Sequence, residues 1–176
     1  MKIRTAIFLI PLWGISASFV CCGIVPASEV HLIPAGYQGD IFIVPGIASG
    51  TPAVHAGRDI VFRIPTNGIL VTQAKPGEGW HASEFYSIQP DGRRRRLDLI
   101  TSTVPRTQDN LRDRRPIVWF ERGGTLSGAD LPCTISFIQY YVGSRSNLLS
   151  REPQADENRF RAFVTKTRPC DLVPAR

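Results

Sequence analysis

Short apolar runs, each stopped by glycine, proline, asparagine or aspartate, recur along most of this chain, and that rhythm points to a mainly β fold. The chain has 15 glycines and 14 prolines to supply the punctuation. Val30–Ile33 stops at Pro34, and residues 35–39 read as a turn. Asp40–Val44 is a strand closed by Pro45-Gly46, whereas Ile47–Gly57 lacks periodicity and reads as loop. Asp59–Ile64 alternates Ile60, Phe62 and Ile64 against Val61 and Arg63. Pro65-Thr66-Asn67-Gly68 then has hairpin-turn chemistry, because Asn-Gly readily takes positive φ, and Ile69–Gln73 reads as the returning strand.

Lys75–Trp80 is loop, and Glu84–Gln89 pairs across Pro90-Asp91-Gly92 with Arg93–Thr101. Val104–Pro116 is a polar, charged loop. Ile117–Arg122 and Thr134–Val142 are the last strong strands, with Gly123-Gly124 and Gly128 in their connection. From Pro153 to Lys166 the period changes: Ala155, Phe160, Phe163 and Val164 share a helical face, while Asp156, Glu157, Arg159 and Arg161 turn to water. The expected fold is an antiparallel β-sandwich, Ig-like or transthyretin-like, with one C-terminal helix near 153–166. A small β-barrel is the alternative.

The first 27 residues differ from the rest. Lys2 and Arg4 precede an apolar run from Ile7 to Val25, and Val25-Pro26-Ala27 offers small side chains for cleavage between Ala27 and Ser28. The run is also about long enough to span a bilayer uncut. Cys21-Cys22-Gly23 sits where a lipoprotein carries its acylated cysteine, although no small residue directly precedes Cys22. Cleavage after Ala27, lipidation at Cys22 and an uncut anchor are therefore three readings of one export segment. The domain proper is 28–176, exported to the periplasm or beyond, and any membrane contact runs through the N-terminal segment if that is retained or lipidated.

In an oxidising compartment Cys133 and Cys170, the two cysteines outside the leader, are expected to pair. Such a bridge closes a loop of about 38 residues, worth roughly 3–4 kcal/mol. The formal charge of +6 includes Lys2 and Arg4, so 19 basic residues face 15 acidic ones in the mature domain. Eighteen of the 21 basic residues of the whole chain are arginine, a bias that need not reflect nucleic-acid binding, and no nucleic-acid partner is expected. Anionic lipid, cell-wall polymer or a protein of the envelope is the expected partner.

Three segments, His31–Ile43, Phe62–Thr72 and Phe85–Arg93, resemble a family of uncharacterised bacterial exported or lipoprotein domains. Its marks are an Ile-Pro-x-Gly-Tyr-x-Gly start, a middle Ile-Pro-x-x-Gly-Ile/Val segment and a later tyrosine-to-glycine hairpin. The resemblance implies export and brings no catalytic residues. Gly36, Gly39 and Gly68 read as positions of positive φ, Pro34 and Pro65 as strand ends, and Tyr37 as a ring over the sheet edge with its hydroxyl in water. The three turns could also gather at one end of the sandwich as a binding rim.

Chemistry leaves little trace in the sequence. His31, His55 and His81 are scattered and read as unrelated surface residues, so no metal is expected. The one loop-built alternative brings His55 and His81 together with Glu78 or Glu84, a hydrolytic site. Gly-x-Ser-x-Gly and Ser-x-x-Lys are both missing, and the carboxylates Asp40, Asp59, Glu84, Asp98 and Glu121 show no pairing. No phosphate-cradling glycine loop precedes a helix, so no cofactor is expected. Arg93–Arg96 reads as an edge strand whose alternate residues, Arg94 and Arg96, share a face able to meet phosphate or anionic lipid. Trp80, Trp119 and Tyr140-Tyr141 read as packing, with a sugar-binding strip as the sharper option. A non-enzymatic envelope domain with a binding or structural role is the leading expectation. A hydrolase, or a carrier with an apolar pocket between the sheets, is the alternative.

Overall fold

The computed structural model describes residues 28–75, 82–101, 114–129, 131 and 133–167. Among the described residues, ten strands and two helices occur in order: β1 (Ser28–Pro34), β2 (Gly39–Val44), β3 (Val54–Ala56), β4 (Asp59–Arg63), β5 (Ile69–Val71), β6 (Ala82–Ile88), β7 (Arg94–Leu97), β8 (Leu99–Ile100), β9 (Ile117–Leu126), β10 (Ile135–Gly143), α1 (Arg145–Ser150) and α2 (Pro153–Thr167). They form two open five-stranded sheets, β3-β4-β1-β6-β7 and β5-β2-β10-β9-β8, so the sandwich is present and the barrel is not.

Inward side chains of both sheets fill the space between them. Ile33, Phe62, Ile64, Phe85 and Leu97 come from the first sheet, and Ile41, Ile43, Leu70, Val118, Tyr140 and Val142 from the second. Period-two alternation sends Phe42 and Val44 of β2 to the opposite face of the second sheet. There α2 lies across them, with Phe160 stacked on Phe42 at 4.3 Å and edge-on to Phe137 at 5.0 Å. Phe160 and Val164 are wholly buried, and this layer is what the helical spacing of the C-terminal segment predicts.

The strand pairing is mixed. β1 runs parallel to both β4 and β6, β2 parallel to β5, and β8 parallel to β9. The remaining ladders are antiparallel, including the expected hairpin of β6 and β7. Parallel pairing arises because successive strands cross between sheets. The Pro65–Gly68 turn, expected to close a hairpin, instead carries the chain from β4 in the first sheet to β5 in the second. Asn-Gly chemistry made the turn correctly: Gly68 has φ +73° and its amide bonds back to Pro65. The destination of β5 is set by which sheet can bury Ile69 and Leu70. Similarly, Arg93–Thr101 is not one strand, since an exposed Asp98 separates β7 in one sheet from β8 in the other.

Three further expectations are corrected. The segment expected as loop before Gly57 contains β3, a three-residue exposed edge strand. Gly123 and Gly124 lie inside β9, opposite Ile138 and Phe137, because a Cβ at Gly124 would stand 2.6 Å from the Phe137 ring. Tyr37 does not leave its hydroxyl in water; it donates to the Asp40 carbonyl at 2.8 Å and lies against Gly68.

Gly68 therefore has two reasons to be glycine, and Gly92 (φ +80°, with nothing near its would-be Cβ) has one. Gly92→Ala is expected to cost about 1 kcal/mol of unfolding free energy from backbone strain alone. Gly68→Ala adds overpacking against Tyr37 and is expected to cost roughly 2–4 kcal/mol, as measured by urea titration.

Candidate functional site

The sequence pattern Glu29-Val30-His31 lies on β1, so alternation places Glu29 and His31 on one face and Val30 on the other. That face is the interior, shared with Ile33. In register, His31 is flanked by Phe62 of β4 and Phe85 of β6. Its imidazole stacks on Phe85 at 4.5 Å, tilts against Phe62 at 5.1 Å and meets Tyr140 edge-on at 5.3 Å. His31 is 0% exposed, which corrects the expectation of a surface histidine.

Glu121 reaches the same place through a break in the ladder. Arg122 pairs with Gln139 and Trp119 with Tyr141, so β9 fits two residues where β10 has only Tyr140. This bulge re-aims Glu121 inward, where uninterrupted alternation from outward-facing Trp119 would have sent it out. Ser83, opposite Glu29 on β6, donates its hydroxyl to Glu121 Oε1 at 2.9 Å. His31 Nε2 lies 3.8 Å from Glu29 Oε2 and 4.0 Å from Glu121 Oε1. Its Nδ1 is 3.1 Å from the Tyr140 hydroxyl. The three ligand atoms of Glu29, His31 and Glu121 all lie within 4.8 Å of one another, an arrangement able to hold a metal ion. Burial, then the nearby charge of Glu121, pushes the Tyr140 phenol well above its ordinary range, so it keeps its proton.

A second polar cluster lies on the outer face of the second sheet. Asp40, almost wholly buried at the start of β2, accepts from Gln139 Nε2 at 2.8 Å and lies 3.5 Å from Arg151 Nη2. Gln139 in turn accepts from Arg122. Burial pushes the Asp40 carboxyl up to about 6; the Asp156 carboxyl adds to this, while Gln139 and Arg151 oppose it.

The three turns of the shared motifs meet at one end of the first sheet. Parallel pairing of β1 with β4 and β6 brings the ends at Pro34, Arg63 and Ile88 together. Tyr37 joins the first turn to the second, and Arg159 of α2 donates to the carbonyls of Asn67 and Asp40. Beside them a cleft of about 210 Å³ is lined by Tyr37, Gln38, Ser87, Arg95, Arg114 and Ser144, among others.

Arg94 and Arg96 are exposed on β7, the edge strand expected, and Arg95 points the other way, into the cleft. His55 pairs with Ile60, an inward residue, whereas Glu84 pairs with outward Val30, so these two stand on opposite faces of the sheet. Glu84 accepts from the Tyr86 hydroxyl at 2.7 Å. Trp119, Tyr140 and Tyr141 are buried packing residues, and the Trp119 indole donates to the Gly143 carbonyl. Cys22, Ala27, Glu78, Trp80, His81 and Cys170 lie outside the described residues. Among the described residues no helix is long and apolar enough to cross a membrane.

Residues 26–147 match a family of unknown function, DUF6843. The chain belongs to that family. Curated proteins give no match. A crystal structure of a candidate lipoprotein from Bacillus anthracis is similar at 17% identity and a TM-score of 0.55, covering 81% of this chain and 96% of that one. At that identity the likeness bears on the fold, which is shared across nearly the whole of the other chain.

The Asp40 carboxyl gives a pH test. Its pKa is raised above the ordinary 3.8, so the folded state holds a proton that the unfolded state releases. Its contribution is therefore greatest at low pH and declines as pH rises from about 4 to 6. Asp40→Asn, which mimics the protonated form, is expected to gain roughly 2–3 kcal/mol relative to wild type between pH 4 and pH 7, read by denaturant titration at each pH.

Proposed function

We propose that this DUF6843 member is an exported, non-enzymatic domain of the cell envelope that binds an anionic partner through the rim where its three motif turns meet. The observation that carries this reading is the convergence of those turns beside a cleft bearing Arg95 and Arg114, with Arg94 and Arg96 exposed on the adjoining face of β7. A loop rim on a rigid β scaffold is a common way to present a binding surface. Glu29 and His31, the acid and histidine best placed for chemistry, are enclosed between the sheets, which supports binding over turnover. A core filled by large side chains also favours surface contact over a ligand carried between the sheets.

Export is supported by the charged and apolar pattern of the first 27 residues and by the candidate lipoprotein sharing the fold. Release by cleavage after Ala27 suits the start of β1, because the Ser28 nitrogen lies 3.0 Å from Asp59 Oδ1, where a new amino terminus would form an ion pair. Pairing of Cys133 with Cys170 is supported by the disulfide-bonded state of Cys133.

Co-sedimentation of the mature domain with anionic phospholipid vesicles and with isolated wall polymer tests the binding reading. Binding at low salt is expected to weaken severalfold in Arg95→Gln and in the Arg94→Gln/Arg96→Gln pair, and to fade as salt rises. Equal binding by wild type and variants at low salt overturns it. Mass spectrometry of the mature N-terminus is expected to find Ser28; a diacylglyceryl group on Cys22 would mean a tethered protein instead.

A further inference from the structure

We propose that Glu29, His31 and Glu121 bind one divalent transition-metal ion of the zinc class, which clamps β1 of one sheet to β9 of the other. The site is separate from the rim and does not depend on it. Its centre is the His31 imidazole, 0% exposed, whose Nε2 has no hydrogen-bond partner and points between two carboxylates. Leaving a buried imidazole nitrogen unsatisfied is costly, and the structure leaves it where a cation would meet it.

Distances favour an ion over a direct ion pair. A charge-assisted N–H···O bond closes to about 2.7–2.9 Å. Here the separations are 3.8 and 4.0 Å, and all three donors stay within 4.8 Å. Around one tetrahedral zinc ion with bonds of about 2.0–2.2 Å, donor atoms stand about 3.3–3.6 Å apart, a little closer than here. Small rotations of the two carboxylates would therefore close the site. The gap is the size of an ion, not of a hydrogen bond.

The surrounding groups are those a metal-bound histidine uses. Coordination through Nε2 requires the proton on Nδ1, and Nδ1 lies 3.1 Å from the Tyr140 oxygen, which would accept it. Ser83 holds Glu121 by its Oε1. Phe62 and Phe85 fix the plane of the ring from either side. One nitrogen and two carboxylate oxygens suit zinc or manganese better than calcium or magnesium, which favour all-oxygen sites. Two carboxylates also match the charge of a divalent ion. Access runs along Glu121, whose side chain is 20% exposed while that of Glu29 is 2% exposed.

The test uses tag-free mature domain, stripped with chelator, dialysed against micromolar Zn²⁺ or Mn²⁺ and analysed for metal content and melting temperature. Wild type is expected to retain one equivalent of metal and to melt higher when loaded. His31→Gln and Glu121→Gln are expected to lose stoichiometric retention and the melting shift, and Tyr140→Phe to weaken affinity by about 10- to 100-fold. Glu84→Gln, on the opposite face of the sheet, retains wild-type binding. If His31→Gln fails to fold, Glu121→Gln decides, since its residue is only partly buried. Wild type that retains no metal and shows no shift overturns the proposal, as does Glu121→Gln that binds as tightly as wild type.

Discussion

Everything in this domain is arranged about β1, a strand paired on both edges and buried on both faces. Parallel ladders to β4 and β6 occupy its backbone donors and acceptors. Val30 and Leu32 pack on one side of it, Ile33 and His31 on the other. A strand in that position usually reads as continuously apolar. Glu29 and His31 break that rule, so the protein has to satisfy two polar side chains at its centre. Phe62, Phe85 and Tyr140 enclose the ring, Ser83 and the β9 bulge bring in Glu121, and the two sheets are thereby joined by polar as well as apolar contacts.

Much of the fold could be read from the sequence because local physics governs it. Breaker spacing located most strands, the β6–β7 hairpin came from Pro90-Asp91-Gly92, and the change of period after Pro153 marked α2. Sheet membership could not be read in this way. Asn67-Gly68 specifies a backbone turn, but nothing local says whether Ile69 and Leu70 return beside β4 or cross to β2. Gly124 likewise looked like a break, when its real reason is the Phe137 ring on the neighbouring strand.

The central cluster was half legible. Once Val30–Ile33 is read as a strand, Glu29 and His31 must share a face with Ile33, and that face is apolar; the signal was present in the parity. Glu121 was hidden because simple alternation along β9 points it outward, and only the unequal count between Trp119–Arg122 and Gln139–Tyr141 reverses it. Asp40 lies in a strand whose apolar residues dominate its pattern, so its coupling to Arg151, just after α1, and to Asp156 of α2 depends on docking of the C-terminal segment, a long-range event.

The crossing of successive strands between sheets bears on how the protein reaches this structure. β1, β2, β4, β5, β6 and β8 belong by turns to one sheet and the other, and β2 finds its main partner, β10, about a hundred residues later. Neither sheet can be completed while the other waits. Contacts so distant in sequence make for high contact order and slow folding, with unpaired edges exposed meanwhile. A chain that emerges from a membrane unfolded would meet this delay in the envelope, before its late-arriving strands have covered the early ones.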